Sequence, residues 1–435
     1  MVAAALIFGV VYVLIASEKV DKTIAAMLGA AVVVFSGLIP YEQALSDVDL
    51  NVIYLLVGMM TIVNILSTTG VFEWMAILVG QKAKGNGVVL LVLLLVVTAV
   101  VSAFLDNVTT IILIAPVTIL ITQILEIETI PFLILEAVFS NIGGTATLVG
   151  DPPNVLIGSR AHIPFNDFIL DLGPIIAVIM VLSLVIIVRL LGKGIRPPEE
   201  AKSRLMRATP RKAIVNPKRL RRASVIFFMV VIGFFLSHLL HVEPGLIAIA
   251  GAFLMVLVCR VDVHDILGKV EWNTIMFFVG LFMLIGCLDY VGLFTFLGHH
   301  LIDLTQGNLL LTCISILWLS ALLSAIVDNI PLVMSMIPLI KSIIPVFAVK
   351  MGLDPNSATA LAPISEPLYW SLALGACLGG NGSLVGASAN VVISQIAKRN
   401  NYEITFGKFT RYGLPLMLFS IVISSVYIYL RYFFW

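Results

Sequence analysis

The sequence predicts an all-α integral membrane protein of about ten membrane-spanning helices, arranged as two inverted repeats with five spans and one re-entrant hairpin each. Three observations support this fold class. Of 435 residues, 60% are hydrophobic and 12% are charged, whereas soluble domains carry about 25% charged residues. Apolar runs recur along nearly the whole chain, and polar and glycine positions recur at constant offsets between its two halves.

The apolar runs are long enough to cross, or nearly cross, a hydrocarbon layer of about 30 Å. They cover residues 2–17, 24–39, 50–68, 88–105, 172–191, 225–240, 246–259, 273–288 and 412–430. The first run has no basic segment before it and no Ala-x-Ala cleavage site. We therefore expect a retained helix there and not a signal peptide.

An internal repeat aligns residues 20–116 with residues 242–338 without a gap, at an offset of 222. The matched positions include Asn51 with Asn273, Gly58 with Gly280, Gly70 with Gly292, Asp106 with Asp328, and Asn107 with Asn329. After an insertion the register resumes at an offset of 236, which aligns residues 143–150 with 379–386 and Asn154 with Asn390. We predict a first repeat over 1–191, a linker over 192–224 and a second repeat over 225–435.

The linker contains eleven of the 26 basic residues of the chain. They are Lys193, Arg196, Lys202, Arg204, Arg207, Arg211, Lys212, Lys218, Arg219, Arg221 and Arg222. The positive-inside rule places such a linker in the cytoplasm. Counting backward from the linker, we predict five crossings, near 168–190, 131–158, 50–80, 23–39 and 2–17. This odd number puts the N-terminus outside and makes the two halves antiparallel. Lys22 then falls inside, and Arg160 and Lys350 are exceptions to the rule.

Segments 88–125 and 308–346 each contain two apolar arms around a polar tip, Asp106-Asn107-Val108-Thr109-Thr110 in the first and Asp328-Asn329-Ile330-Pro331 in the second. Each segment forms either a re-entrant hairpin or two full spans, because both return the chain to the same side. We favour hairpins. A short tip without a basic residue makes a poor aqueous loop, and polar backbone at membrane depth is tolerated where protein surrounds it.

Two glycine-rich stretches predict breaks in membrane helices, because glycine permits an unwound backbone. Such a break offers backbone groups and half-helix ends to a solute or an ion, although glycine also serves close helix packing in membranes. The candidate substrate-binding residues come from the tips and the breaks of both halves. They are Asn107, Thr109, Gly143, Gly144, Thr145, Thr147 and Asn154, with Asn329, Gly379, Gly380, Asn381, Ser383 and Asn390.

Three aspartates are candidate proton carriers, because an ionised carboxylate in a membrane segment costs about 3 kcal/mol or more and marks functional positions. Asp106 and Asp328 recur at equivalent tips. Their alternative role is to cap the returning hairpin arm. Asp151 has Ala387 as its repeat partner, so it is either a coupling group on one side only or part of a rigid Asp-Pro-Pro turn.

Several function classes receive no support from the sequence. The four cysteines have wide, irregular spacing that fits neither a disulfide framework nor a zinc site, and we predict no metal and no cofactor. Cys377 lies just before a Gly-rich break and could offer sulfur to a thiophilic ligand, although a buried free thiol is the simpler expectation. We find no nucleophile–base pair for an enzyme and no basic patch that indicates a nucleic-acid partner.

Two motifs resemble a known family. Residues 102–110, SAFLDNVTT, and 140–154, SNIGGTATLVGDPPN, are similar to the arsenite-efflux permease and P-protein branch of the ion transporter superfamily. The resemblance runs through the full length and both repeats. It implies a scaffold domain, a moving transport domain that carries the hairpins and broken helices, and an elevator-like alternating-access cycle. It also implies a substrate site at the hairpin tips and broken-helix loops, and an ATPase subunit as a partner.

The tips differ from those of related dicarboxylate carriers, which have Ser-Asn-Thr there, and this departure argues against sodium–dicarboxylate symport. The candidate site is rich in hydroxyl and amide groups and poor in Lys and Arg. Such a site suits an uncharged trihydroxy solute better than a dianion. We expect a multi-pass protein of the bacterial inner membrane that exports arsenite or antimonite in exchange for protons. Sodium–proton exchange and anion conduction of the P-protein kind are the alternatives.

Overall fold

The computed structural model describes residues 1–16, 20–192, 195, 197–206, 210–354 and 357–434. Lys193, Arg196 and Arg207 of the predicted linker lie outside the described residues. In the first half the helices are α1 Val2–Ala16, α2 Lys22–Phe35, α3 Tyr41–Ser46, α4 Leu50–Ser67, α5 Val71–Lys82, α6 Gly87–Ser102, α7 Asn107–Ile124, α8 Thr129–Gly144, α9 Pro152–Ala161, α10 Phe165–Asp167 and α11 Gly173–Leu191, with a π-turn over Phe168–Leu172.

A short helix α12, Glu199–Met206, and a 3₁₀ turn, Pro210–Ala213, follow in the linker. The helices of the second half are α13 Pro217–Leu240, α14 Pro244–Cys259, α15 Val263–Leu267, α16 Trp272–Tyr290, α17 Leu293–Leu304, α18 Leu309–Ser324, α19 Asn329–Met351, α20 Ala358–Gly379, α21 Ser388–Arg399 and α22 Phe406–Tyr432. Within the described ranges the chain is helical, and the all-α membrane fold is confirmed.

Within the described residues, seven helical segments are long and apolar enough to cross a membrane, or eight if the pair α17 and α18, bent by 117°, counts as one span. Shorter apolar helices include α1, α2, α6, α8 and α14. The predicted span over 50–80 is two helices, because Gly70 adopts a left-handed φ of 79° between α4 and α5. Its repeat partner Gly292 has φ 78° between α16 and α17.

The helices pack in two groups. We call α1, α2, α4, α13, α14 and α16 the paired-helix group, because α2 packs on α16 and α4 packs on α14. We call α6 to α9 and α18 to α22 the hairpin group, in which α6 and α7 pack on α8, and α18 and α19 pack on α20. Helices α5 and α17 lie between the groups, each against one hairpin arm.

Glycines at equivalent positions of the two repeats bring helices of opposite halves into contact. A Cβ atom on Gly58 of α4 would lie 2.5 Å from the backbone of Ala248 in α14. One on Gly280 of α16 would lie 2.8 Å from the backbone of Ala26 in α2. Small residues permit such close approach in membranes. The paired contacts follow the 222-residue offset of the sequence repeat.

We predict that Gly58→Leu destabilises the protein by about 1–3 kcal/mol, because the added side chain must push α4 and α14 apart. Thermal unfolding in detergent measures the change. Gly9→Leu is the matched control, because a Cβ atom on Gly9 meets nothing within 4 Å. Equal unfolding temperatures for the two variants would contradict this packing.

Candidate functional site

Both predicted helix breaks are present. Helix α8 ends at Gly144 and α9 begins at Pro152, while α20 ends at Gly379 and α21 begins at Ser388. A Cβ atom on Gly143 would overlap the backbone of Ala99 in α6, and one on Gly379 would lie 2.6 Å from Ala321 in α18. These two glycines therefore let a hairpin arm pack closely against the broken helix. Close helix packing was the alternative to helix breaking that we considered for glycine from the sequence.

One asparagine in each half holds the unwound backbone in place. The Asn154 amide donates to the carbonyl oxygens of Thr145 and Thr147 at 3.0 and 2.9 Å. Its repeat partner Asn390 donates to those of Gly380 and Ser383 at 2.8 and 2.9 Å. Both asparagines are fully buried. Their amides satisfy carbonyl groups that a broken helix leaves without intrahelical partners.

Asn141 joins the two halves at the centre of the hairpin group. Its amide nitrogen donates to Asn381 Oδ1 at 2.9 Å and to Asn390 Oδ1 at 3.1 Å. Its oxygen accepts from Asn107 Nδ2 at 3.0 Å. Our sequence analysis did not select Asn141 as a site residue. Its position two residues before Gly143, within the quoted motif, was the signal that could have found it.

The tip aspartates cap the returning hairpin arms. Asp106 accepts from the backbone N–H of Thr109 at 2.8 Å and from the Thr109 hydroxyl. Asp328 accepts from the backbone N–H of Ile330 at 3.3 Å. Asn107 and Asn329, which follow them, are each only 3% exposed. The tips therefore end inside the protein and not in aqueous loops, while the returning arms α7 and α19 are themselves long and apolar enough to cross a membrane.

A cavity of about 440 Å³ lies where the two tips meet α9 and α21. Five of the sixteen predicted site residues line it: Asp106, Asn107, Asp151, Asp328 and Asn329. The other eleven stand outside its lining, most of them in the hydrogen-bonded framework of the breaks. Those eleven are Thr109, Gly143, Gly144, Thr145, Thr147, Asn154, Gly379, Gly380, Asn381, Ser383 and Asn390.

Two fully or nearly fully buried side chains present unpaired polar atoms at this cavity. Asp151 Oδ1 accepts from Asn107 Nδ2 at 3.1 Å, whereas Oδ2 has no hydrogen-bond partner. Asn329 Nδ2 also has none. Asp151 makes no capping bond to α9. Buried polar atoms are ordinarily paired, so Asp151 and Asn329 each keep an unsatisfied polar atom beneath the lining of the cavity.

The charged residues of the cavity include a lysine that the sequence analysis placed only in a cytoplasmic loop. Lys22 Nζ lies 3.2 Å from Asp328 Oδ2 and 3.3 Å from Ser388 Oγ. The lining thus contains one basic residue, Lys22, which was not among the site residues predicted from the sequence. Five acidic residues line the same cavity, and these are Asp21, Asp106, Asp151, Glu271 and Asp328. The lining carries more acidic than basic groups.

Two of these acids lie at helix starts outside the spans, and their environments differ. Burial raises the pKa of the Glu271 carboxyl, and the charge of Asp106 adds to the effect. The backbone N–H of Thr23 donates to Asp21 and lowers the pKa of that carboxyl. Glu271 therefore holds its proton more readily than an ordinary glutamate, whereas Asp21 releases its proton more readily than an ordinary aspartate.

All four cysteines are buried free thiols, as expected. Cys377 Sγ lies 3.5 Å from Asn154 Oδ1 and outside the lining of the cavity. Its repeat partner at the offset of 236 is Asn141, which makes the corresponding contact with Asn390. Cys377 thus takes part in the framework of the breaks.

Comparison with known proteins identifies related chains over the full length. A family model described as "Citrate transporter" matches residues 12–365. An uncharacterized transporter of Mycobacterium bovis is 41% identical, with 99% of each chain covered. The P protein of Sus scrofa is 32% identical over 98% of this chain, which spans 59% of that protein. This last similarity bears out the P-protein side of the resemblance.

The fold has a counterpart among solved structures. The crystal structure of the Alcanivorax borkumensis YdaH transporter superposes with a TM-score of 0.61 and covers 93% of this chain and 89% of its own. The identity between the two is 12%, so the likeness concerns the fold alone. It agrees with the predicted ion transporter superfamily architecture.

We predict that Asn141→Ala lowers the free energy of unfolding by about 1–3 kcal/mol, because it leaves the buried oxygens of Asn381 and Asn390 without this donor. Thermal unfolding in detergent is the measurement. The control is Asn400→Ala, an exposed residue that bonds only its own helix at Ile396, for which we expect a change within about 0.5 kcal/mol. Similar changes in both variants would show that Asn141 does not bridge the halves.

Proposed function

From the premise that this membrane transporter belongs to the citrate transporter family, we propose that it exports arsenite or antimonite in exchange for protons, by elevator-like alternating access. The observation that carries the proposal is the lining of the central cavity. It combines an unpaired amide donor and an unpaired carboxylate acceptor with an excess of acidic groups. A neutral hydroxylated solute suits such a lining better than a polyanion.

The chemistry of arsenous acid matches these groups. Each of its three hydroxyls donates one hydrogen bond and accepts others. Asp151 Oδ2 accepts from one hydroxyl, and Asn329 Nδ2 donates to another. Citrate is a tricarboxylate, and it would meet five acidic side chains and one lysine whose ammonium already lies 3.2 Å from Asp328. Like charges at close range are unfavourable in a membrane protein of low local dielectric constant.

Proton exchange rests on Asp106, Asp328 and Asp151, which line the cavity where the tips meet. A carboxylate that must pass through the membrane interior favours its neutral form, because an ion there costs about 3 kcal/mol or more. A proton taken up on one side and released on the other supplies the driving force. The capping bonds of Asp106 and Asp328 are compatible with this role, since a protonated carboxyl still accepts through its second oxygen.

The orientation belongs to the same proposal. Lys22, Asp21 and Glu271 lie at the starts of α2 and α16 and line the cavity. The positive-inside rule assigns this end of the protein to the cytoplasm. The cavity would then face the cytoplasm, where an exporter binds its solute, with the chain in the bacterial inner membrane.

Anion transport is the second candidate, and Lys22 is the observation that favours it. Its ammonium is the basic group of the cavity lining, and an anion that displaced Asp328 would gain a charge-assisted hydrogen bond. The description of the family as citrate transporters and the similarity to P protein point the same way. Sodium–proton exchange would use the same acidic lining.

Uptake into inverted membrane vesicles distinguishes these candidates. We expect arsenite to accumulate when the vesicle interior is acidic, and accumulation to stop when the pH gradient and the membrane potential are both zero. Citrate and sodium are tested in parallel under the same gradient. Accumulation of citrate without arsenite would replace the proposal by anion transport, and flux that continues without any gradient-driven proton movement would indicate a channel.

Asp106→Asn, Asp328→Asn and Asp151→Asn test the proton carriers. We expect at least one of them to abolish the dependence of arsenite uptake on the pH gradient, because an amide cannot exchange a proton in this range. Thermal unfolding shows whether each variant is folded. Unchanged proton dependence in all three variants would remove them as carriers.

A further inference from the structure

One ion pair connects the two helix groups at the cavity. Lys22 begins α2 in the paired-helix group, whereas Asp328 caps α19 and Ser388 begins α21 in the hairpin group. Lys22 Nζ is 3.2 Å from Asp328 Oδ2 and 3.3 Å from Ser388 Oγ, and Ser388 donates to the same carboxylate oxygen at 3.1 Å. The ammonium also lies 5.0 Å from the centre of the Phe277 ring in α16.

This ion pair breaks the symmetry of the repeats. The residue that corresponds to Lys22 at the offset of 222 is Pro244. Asp106 corresponds to Asp328, and its described hydrogen bonds come from Thr109. The two tip carboxylates therefore differ. Asp328 is paired with a lysine of the paired-helix group, whereas Asp106 accepts from Thr109 of its own helix.

We propose that Lys22 is a positioning residue that, through its ion pair with Asp328, retains the hairpin group in the arrangement seen here. The inference rests on the proposed function, in which the two helix groups move past each other. Separation of the groups takes Asp328 away from Lys22. While Asp328 is ionised, this separation leaves a carboxylate without its counter-charge in a membrane interior, where unpaired charges are costly.

Loss of the contact with Lys22 removes the attraction and frees the hairpin group to move. In an exchanger the carrier moves either with a proton or with the solute, and Lys22 would retain the carrier that holds neither, which suppresses a proton leak cycle. The other titratable groups that face this ion pair are Tyr12 of α1, Asp21, Glu271, Asp106 and Asp151.

The test measures access to the cavity and needs no substrate. Gln395 is exposed and lines the cavity, and Gln395→Cys introduces a thiol into a chain whose own cysteines are buried. The rate of its alkylation by a membrane-impermeant maleimide is measured in inverted vesicles at pH 7. Division by the rate for the unfolded protein at the same pH cancels the ionisation of the thiol.

With Lys22 present, we expect a high normalised rate, because the ion pair retains the arrangement in which the cavity is open. In Lys22→Gln the rate should be about two- to fivefold lower, the size of effect expected for a partly exposed ion pair. Lys22→Arg should retain the high rate. Lys269→Gln, an exposed lysine at the same end, is the control and should match the unmodified background.

Asp328→Asn imitates the neutral carboxyl and provides a second test should Lys22→Gln fail to fold. We expect a similar lowering of the rate, by about two- to fivefold. An unchanged rate in either folded variant would overturn the proposal. Because no solute is involved, a protein that shows the predicted accessibility pattern but no arsenite exchange would retain this role of Lys22 and lose the substrate assignment.

Discussion

The structure depends on the need to satisfy backbone polar groups wherever a helix is broken inside a membrane. Each broken helix leaves carbonyl and amide groups that hydrocarbon cannot pair, at a cost of several kcal/mol for each group. Asn154 and Asn390 offset this cost, because each side-chain amide donates two hydrogen bonds to carbonyl oxygens of its own loop. The breaks can therefore exist at this depth, and the tips can end beside them.

The same constraint explains why the framework is symmetric. Ser102 donates to the carbonyl of Ser140 in the first half, and Ser324 donates to that of Ala376 in the second. Gly150 and Gly386 each approach the opposite end of their own loop so closely that a Cβ atom would lie within 2.7 Å of a glycine carbonyl oxygen. A substitution that removed one of these serine hydrogen bonds or glycine contacts would leave backbone polar groups of the loop in need of a new partner. Equivalent residues therefore serve equivalent structural roles.

Much of this framework could be predicted from the sequence, because repeated glycine and asparagine residues mark backbone that departs from a regular helix. The breaks after Gly144 and Gly379 and the caps at Asp106 and Asp328 follow from local chemistry. The sequence could not show that Asn141 reaches across to Asn381, because that contact joins residues 240 positions apart. Lys22 was missed for a related reason, since a lysine before an apolar run is ordinarily a solvated topology signal, and only the tertiary fold brings it to Asp328.

Chemical selectivity, by contrast, comes from positions where the repeats differ. When the sequences of the two halves are aligned, Asp151 corresponds to Ala387, Asn141 to Cys377, and Lys22 to Pro244. Each of these differences gives one half a charge or an amide that the other half lacks, next to a framework that would otherwise present identical groups twice. A symmetric site would bind the solute equally in two related poses. An asymmetric site offers a bound solute and a proton different partners, which is the arrangement that the proposed exchange uses.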